Sequence, residues 1–87
     1  MRTARQHEID RALMRALGQS GCYLAPRPAL FALAKLHVVG EPATESELIE
    51  SLGYHDTAGR LTSVQSETGA KYRLNDTGRA WVAENLS

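Results

Sequence analysis

The sequence is most informative first in what it lacks. It has a single cysteine, Cys22, so no internal disulfide can staple the chain, and a lone thiol suits a reducing, cytoplasmic setting. Aromatic residues are scarce, one Phe, one Trp and three Tyr, so any core must be built mainly from aliphatic side chains. No long apolar run exists to span a bilayer, and no secretory pattern opens the chain; no membrane contact is expected. Net charge is absent too: ten Lys and Arg balance ten Asp and Glu, which argues against tight nonspecific binding to polyanions. His7, His37 and His55 match no compact metal-ligand spacing with each other or with Cys22. No nucleophile–base set and no phosphate-binding glycine loop is present, so neither an enzyme nor a cofactor is expected. At 87 residues there is material for one domain.

What charge there is lies unevenly. Residues 1–40 carry Arg2, Arg5, Arg11, Arg15, Arg27 and Lys35 against Glu8 and Asp10. Residues 41–56 carry Glu41, Glu45, Glu47, Glu50 and Asp56 with no base. Residues 57–87 mix four bases with three acids. Any anion-binding face is therefore expected to avoid the middle segment.

Local signals mark out the elements. Thr3 and Gln6 form a capping-box pair, Gly18 is a stop, and Ile9, Ala12, Leu13, Ala16 and Leu17 recur at helical spacing, predicting a helix over 4–17. Pro28 suits a first helical turn, and the apolar text up to Val39 predicts a buried central helix over 28–39, ended by Gly40 and Pro42. Thr44 and Glu47 form a second capping box. Gly53 reads as the stop of that short helix and Asp56 as the cap of another, so 44–66 reads as a helix-turn-helix. In its second helix Thr57, Leu61 and Val64 would face inward. Glu67-Thr68-Gly69 signals a turn and Lys71 to Leu74 alternates as a strand should, predicting a hairpin over 64–74 whose first strand competes with the end of the preceding helix. Asn75 or Asp76 caps a last helix over 76–86, in which Trp81 is either a core anchor or part of a dimer surface.

The expected fold class is thus mainly α with a small β-hairpin. From Leu30 onward the chain resembles bacterial winged helix-turn-helix regulators of the MarR and PadR sort. The resemblance rests on "LFALAKLHVVGEPATESELIESLGY", on the trio Thr57, Leu61 and Val64, and on "YRLNDTGRAWV" at 72–82, and it covers about two thirds of the chain. It implies a winged helix with an extra N-terminal helix, a recognition helix at 57–66, a wing at 64–74, and often a homodimer built on terminal helices. The chain departs from the pattern at the wing tip, Glu67 to Ala70, which has no Arg or Lys.

The resemblance implies a cytoplasmic transcription regulator that binds double-stranded DNA. Thr57, Arg60, Thr62, Ser63 and Gln65 on the helix are the candidate DNA contacts, with Lys71 and Arg73 on the wing strand gripping phosphate. Only Arg60 and Gln65 among the helix residues have the side chains that favour base edges. Ile9 and Leu13 are expected in a homodimer contact, unless their stripe packs within one chain. The alternative function is a winged-helix protein–protein interaction module that docks a basic partner through its acidic 41–56 segment.

Overall fold

The computed structural model describes residues 1–21 and 23–86; the reading of Cys22 as a small core residue lies outside them. Helix α1 covers Ala4–Gln19 and begins on a complete capping box: the Thr3 hydroxyl accepts from the Gln6 amide, and the Gln6 side chain accepts from the Thr3 amide. Its stripe of Ile9, Ala12, Leu13, Ala16 and Leu17, joined by Met14, is wholly buried. A two-residue strand β1 (Ala25–Pro26) leads into α2 (Arg27–Lys35). Helix α3 (Glu45–Thr57) follows, started by the reciprocal Thr44–Glu47 box. Strands β2 (Leu61–Ser66) and β3 (Gly69–Leu74) form the hairpin, and α4 (Asp76–Leu86) closes the chain. The strands make one antiparallel sheet in the order β1-β3-β2, which leaves β2 on an outer edge. The domain is mainly helical, with α1 packed against the other three helices and β3.

Four expectations are corrected. The helix-turn-helix over 44–66, with its recognition helix at 57–66, is instead one helix and one strand. The expected stop is Gly53, but the helix ends at Gly59. There the Gly59 amide bonds to the Asp56 carbonyl and the Arg60 amide to the His55 carbonyl, with Gly59 at φ +76°, so the helix ends in a complete Schellman turn. Gly53 stays in the middle of α3 with an ordinary helical φ. Beyond Gly59, Leu61 to Ser66 pairs in register with β3, and the trio splits: Leu61 is buried opposite Leu74, while Thr57 and Val64 are exposed.

The second correction concerns the central helix over 28–39, which ends at Lys35. It buries only Leu30, Phe31 and Ala34, and leaves Leu36 and Val39 in solvent. The buried centre is α1, so that helix is not an addition to a finished core. The third follows from it: Ile9 and Leu13, expected in a dimer contact, are fully buried within their own chain. Fourth, the sheet is larger than the hairpin expected over 64–74, because Ala25 and Pro26, ahead of α2, pair with Tyr72 and Lys71.

The seating of α4 explains the Gly-Arg pair at 78–79. Asn75 caps α4 through its Oδ1, which accepts from the Gly78 amide at 2.9 Å, while its Nδ2 donates to the Gly59 carbonyl at 2.8 Å. This draws the first turn of α4 onto the start of β2. A Cβ at Gly78 would lie 2.2 Å from the Arg60 carbonyl oxygen, whereas one at Gly53 would meet nothing within 4 Å. Gly53→Ala is therefore expected to stabilise the fold by about 0.5–1 kcal/mol. Gly78→Ala is expected to destabilise it by about 1–3 kcal/mol, although both positions are helical. Urea unfolding of the two variants measures both signs, and a stabilising Gly78→Ala would show that α4 does not sit on Arg60.

Candidate functional site

Cross-strand register sorts the candidate residues of the hairpin. Thr62 lies opposite Arg73 and Val64 opposite Lys71, and cross-strand partners share a face, so these four make the outer face of the sheet. Leu61, Ser63 and Gln65 belong to the other face with Leu74, Tyr72 and Ala70. The core reaches only as far as Leu61, Tyr72 and Leu74, and the distal part of that face borders a cleft toward α2 lined by Gln65, Tyr72 and Arg27. The structure thus brings Thr62, Lys71 and Arg73 together, sets Ser63 and Gln65 on the reverse side, and leaves Thr57 at the end of α3. Arg27, Lys71 and Arg73 make no ion pair or hydrogen bond among the described residues, so their charges are available to a ligand.

Arg60 is not available in the same way. Its Nη1 lies 3.1 Å from His55 Nδ1, and its guanidinium lies 5.7 Å from the centres of both the Tyr54 and Trp81 rings. It belongs to a buried polar cluster that the sequence reading did not assemble. Asp10, on α1, accepts from Ser51 Oγ at 2.6 Å and from Arg2 at 2.6 and 3.0 Å, and its Oδ1 lies 3.4 Å from His55 Nε2. With Arg60 donating to Nδ1, the proton of a neutral His55 ring sits on Nε2, which is close to Asp10 but outside hydrogen-bond geometry. Trp81 stands edge-on to His55 at 4.9 Å. Burial pushes the Asp10 carboxyl up, but its interactions with His55, Arg2 and Ser51 outweigh it and hold the group down at about 2. Ser51 donates to the aspartate rather than to the histidine, so this is no nucleophile–base pair; it locks α1, α3 and the start of β2 together. A signal existed for it. Asp10 sits inside the apolar stripe of α1, and Ser51 and His55 are four apart on the inward face of α3.

The acidic segment is also altered in space. Arg5 grips Glu47 through Nε at 2.8 Å and Nη2 at 3.1 Å, and Arg2 reaches Glu50 at 2.6 Å. Hydrogen bonds from Arg5 and from the Thr44 backbone hold the Glu47 carboxyl at about 2. Two acids of α3 are thereby paired with Arg2, just ahead of α1, and with Arg5 on it, and among the described residues Glu45 and Asp56 remain without an ion pair on that helix. On its outward face, centred on Ser46, Gly53 and Thr57, α3 presents Ile49 and Glu50 as the bulkier side chains.

His7 and the buried His55 both stand near the Trp81 ring, at 6.3 and 4.9 Å, while His37 bonds to Gln19. Among the described residues no group of three His, Cys, Asp or Glu side chains converges, and no helix is long and apolar enough to cross a membrane. Comparison with family models, curated proteins and solved structures gives no match.

Proposed function

We propose that this chain is a winged helix-turn-helix domain of a transcription regulator that binds double-stranded DNA, led by backbone contact at the hairpin. The element order, with three helices preceding the hairpin and the short β1 pairing with β3, supports the winged-helix assignment and moves the recognition-helix role from 57–66 to α3. The observation that carries the DNA reading is the set of unpaired cations at the hairpin, Lys71 and Arg73 on its outer face and Arg27 beside it, against α3 acids partly cancelled by Arg2 and Arg5. The small residues Ser46, Gly53 and Thr57 let α3 approach a duplex closely, and its two hydroxyls can bond to phosphate or base edges. Arg60, held by His55, has a positioning role instead of a reading one.

Three phosphate contacts correspond to a log–log salt slope of about −2.7, because each neutralised phosphate contributes roughly −0.9. Replacing Lys71 and Arg73 together by Ala is expected to flatten the slope to about −0.9 and to weaken binding to all sequences alike. Fluorescence anisotropy on a random-sequence duplex pool, titrated with salt, reads both effects. Absence of salt-dependent binding by the wild type would overturn the DNA reading.

A second reading has its own observation. The outward face of α3 carries no cation, leaves Glu45 and Asp56 unpaired, and exposes Ile49 with Tyr54 nearby, which favours a basic protein partner over phosphate. Binding that survives Lys71→Ala with Arg73→Ala but fails with Glu45→Lys and Ile49→Asp would select it.

A further inference from the structure

A cleft of about 630 Å³ runs between the outer side of α1 and the segment that follows α2. One wall is a stripe of Glu8, Arg11, Ala12 and Arg15, spaced so that all four share a face of α1. The other is Leu36, His37 and Val39. Leu36 and Val39 are 79% and 84% exposed, more than any other large apolar side chain except Met1 and, equalling Leu36, Tyr23. The segment is held in place, because His37 Nε2 lies 2.9 Å from Gln19 Oε1 at the end of α1. Arg11 and Arg15 have no ion pair or hydrogen bond among the described residues. Glu8 borders the cleft with Oε1 buried, 3.7 Å from Arg5 and without a hydrogen-bond donor. The result is a fixed trough with an aliphatic side, two free cations, and a carboxylate at one end.

We propose that this trough docks an acidic amphipathic helix of a protein partner. Two aliphatic side chains of that helix rest on Leu36 and Val39, while carboxylates one turn apart pair with Arg11 and Arg15. The charge order adds register, since a base of the partner beside its apolar edge would face Glu8. A duplex fits poorly, because the trough offers two aliphatic side chains and a carboxylate where phosphates would lie. A second copy of this chain fits poorly as well. Among the described residues its unpaired helix acids are Glu45 and Asp56, about 16 Å apart along α3, and Glu84, alone on α4, whereas Arg11 and Arg15 are about 6 Å apart along α1.

The test uses the whole chain and a fluorescein-labelled 16-residue helical peptide with Leu on one stripe and Glu pairs four apart beside it. A matched peptide with Lys for every Glu is the control. Anisotropy is expected to show binding of the Glu peptide only, with amide NMR shifts confined to α1 and 36–39. Arg11→Glu with Arg15→Glu is expected to weaken the Glu peptide by roughly tenfold or more and to admit the Lys peptide, and Val39→Asp to abolish binding of the Glu peptide. These positions are exposed, so the variants are expected to keep the wild-type circular dichroism. Equal binding of the two peptides, failure of the Glu peptide to bind, shifts centred on α3 or the hairpin, or self-association lost with Val39→Asp would each overturn the proposal. Lys71 and Arg73 are intact in all these proteins, so the outcome is separable from duplex binding.

Discussion

Asp10→Ala is expected to lower the free energy of unfolding by about 3–5 kcal/mol at neutral pH, because it removes the acceptor of the buried Ser51 hydroxyl and of the half-buried Arg2, and the carboxylate that faces His55. Asp10 is 2% exposed, and Ser51 and His55 are fully buried; without the carboxylate the Ser51 hydroxyl loses the acceptor it has in the fold, and His55 Nε2, which has no hydrogen-bond partner, loses the charge 3.4 Å away. The effect also has a pH signature. In the fold the carboxyl is held at about 2 against an ordinary value of 3.8. Its folded value is the lower one, so the stabilisation is complete above pH 4 and fades as pH falls toward 2. The gap between wild type and Asp10→Ala is expected to narrow by about 2 kcal/mol across that interval, at 1.36 kcal/mol per unit. Urea unfolding of both proteins at pH 7, 4 and 2.5 measures it. A gap that is small at pH 7, or constant with pH, would show that the cluster does not hold the helices.

Leu13→Ala is expected to cost about 3–5 kcal/mol, the sum of lost transfer energy and the cavity left behind. Leu13 is completely buried at the centre of α1, where helix α1 meets the other helices. Leu33, in the more apolar-looking α2, is only partly buried, so Leu33→Ala is expected to cost less. A domain of this size has roughly 4–13 kcal/mol of stability in total, so Leu13→Val provides a folded intermediate case if Leu13→Ala unfolds. The opposite ranking of Leu13 and Leu33 in urea would place the core on the wrong helix.

That reversal shows which features a sequence makes visible. The caps of α1 and α3, Pro28 at the start of α2, the Glu67–Thr68 turn and the extent of α4 are short-range chemistry, readable over three or four residues. The burial of α1 over α2 is not, because composition says how apolar a helix is and not how many neighbours cover it. The expected helix stop is Gly53 and the observed one is Gly59. Choosing Gly59 depended on whether Leu61 to Ser66 gained more as a strand beside β3 than as a second helix, and that is a contact between distant residues. The pairing of Arg2 and Arg5 with Glu50 and Glu47 spans more than forty positions. Counting charge along the chain therefore exaggerated the negative field of α3. Of the candidate site residues, the shared face of Lys71 and Arg73 was legible because strand alternation alone gives it; the place of Arg60 was not, because its partner His55 belonged to a helix assumed to have ended.

The sheet order carries a last consequence, for the behaviour of the chain in concentrated solution. One edge is guarded: β1 is two residues long and ends in Pro26, which has no amide hydrogen to offer. The other is β2, whose Leu61 to Ser66 includes neither a charge nor a proline, and whose last four residues are exposed. A neutral, unblocked strand edge is a template for pairing between molecules. Aggregation under partial denaturation would thus begin along β2, and a lysine at Ser63, next to the buried start of the strand, is the smallest change that guards it.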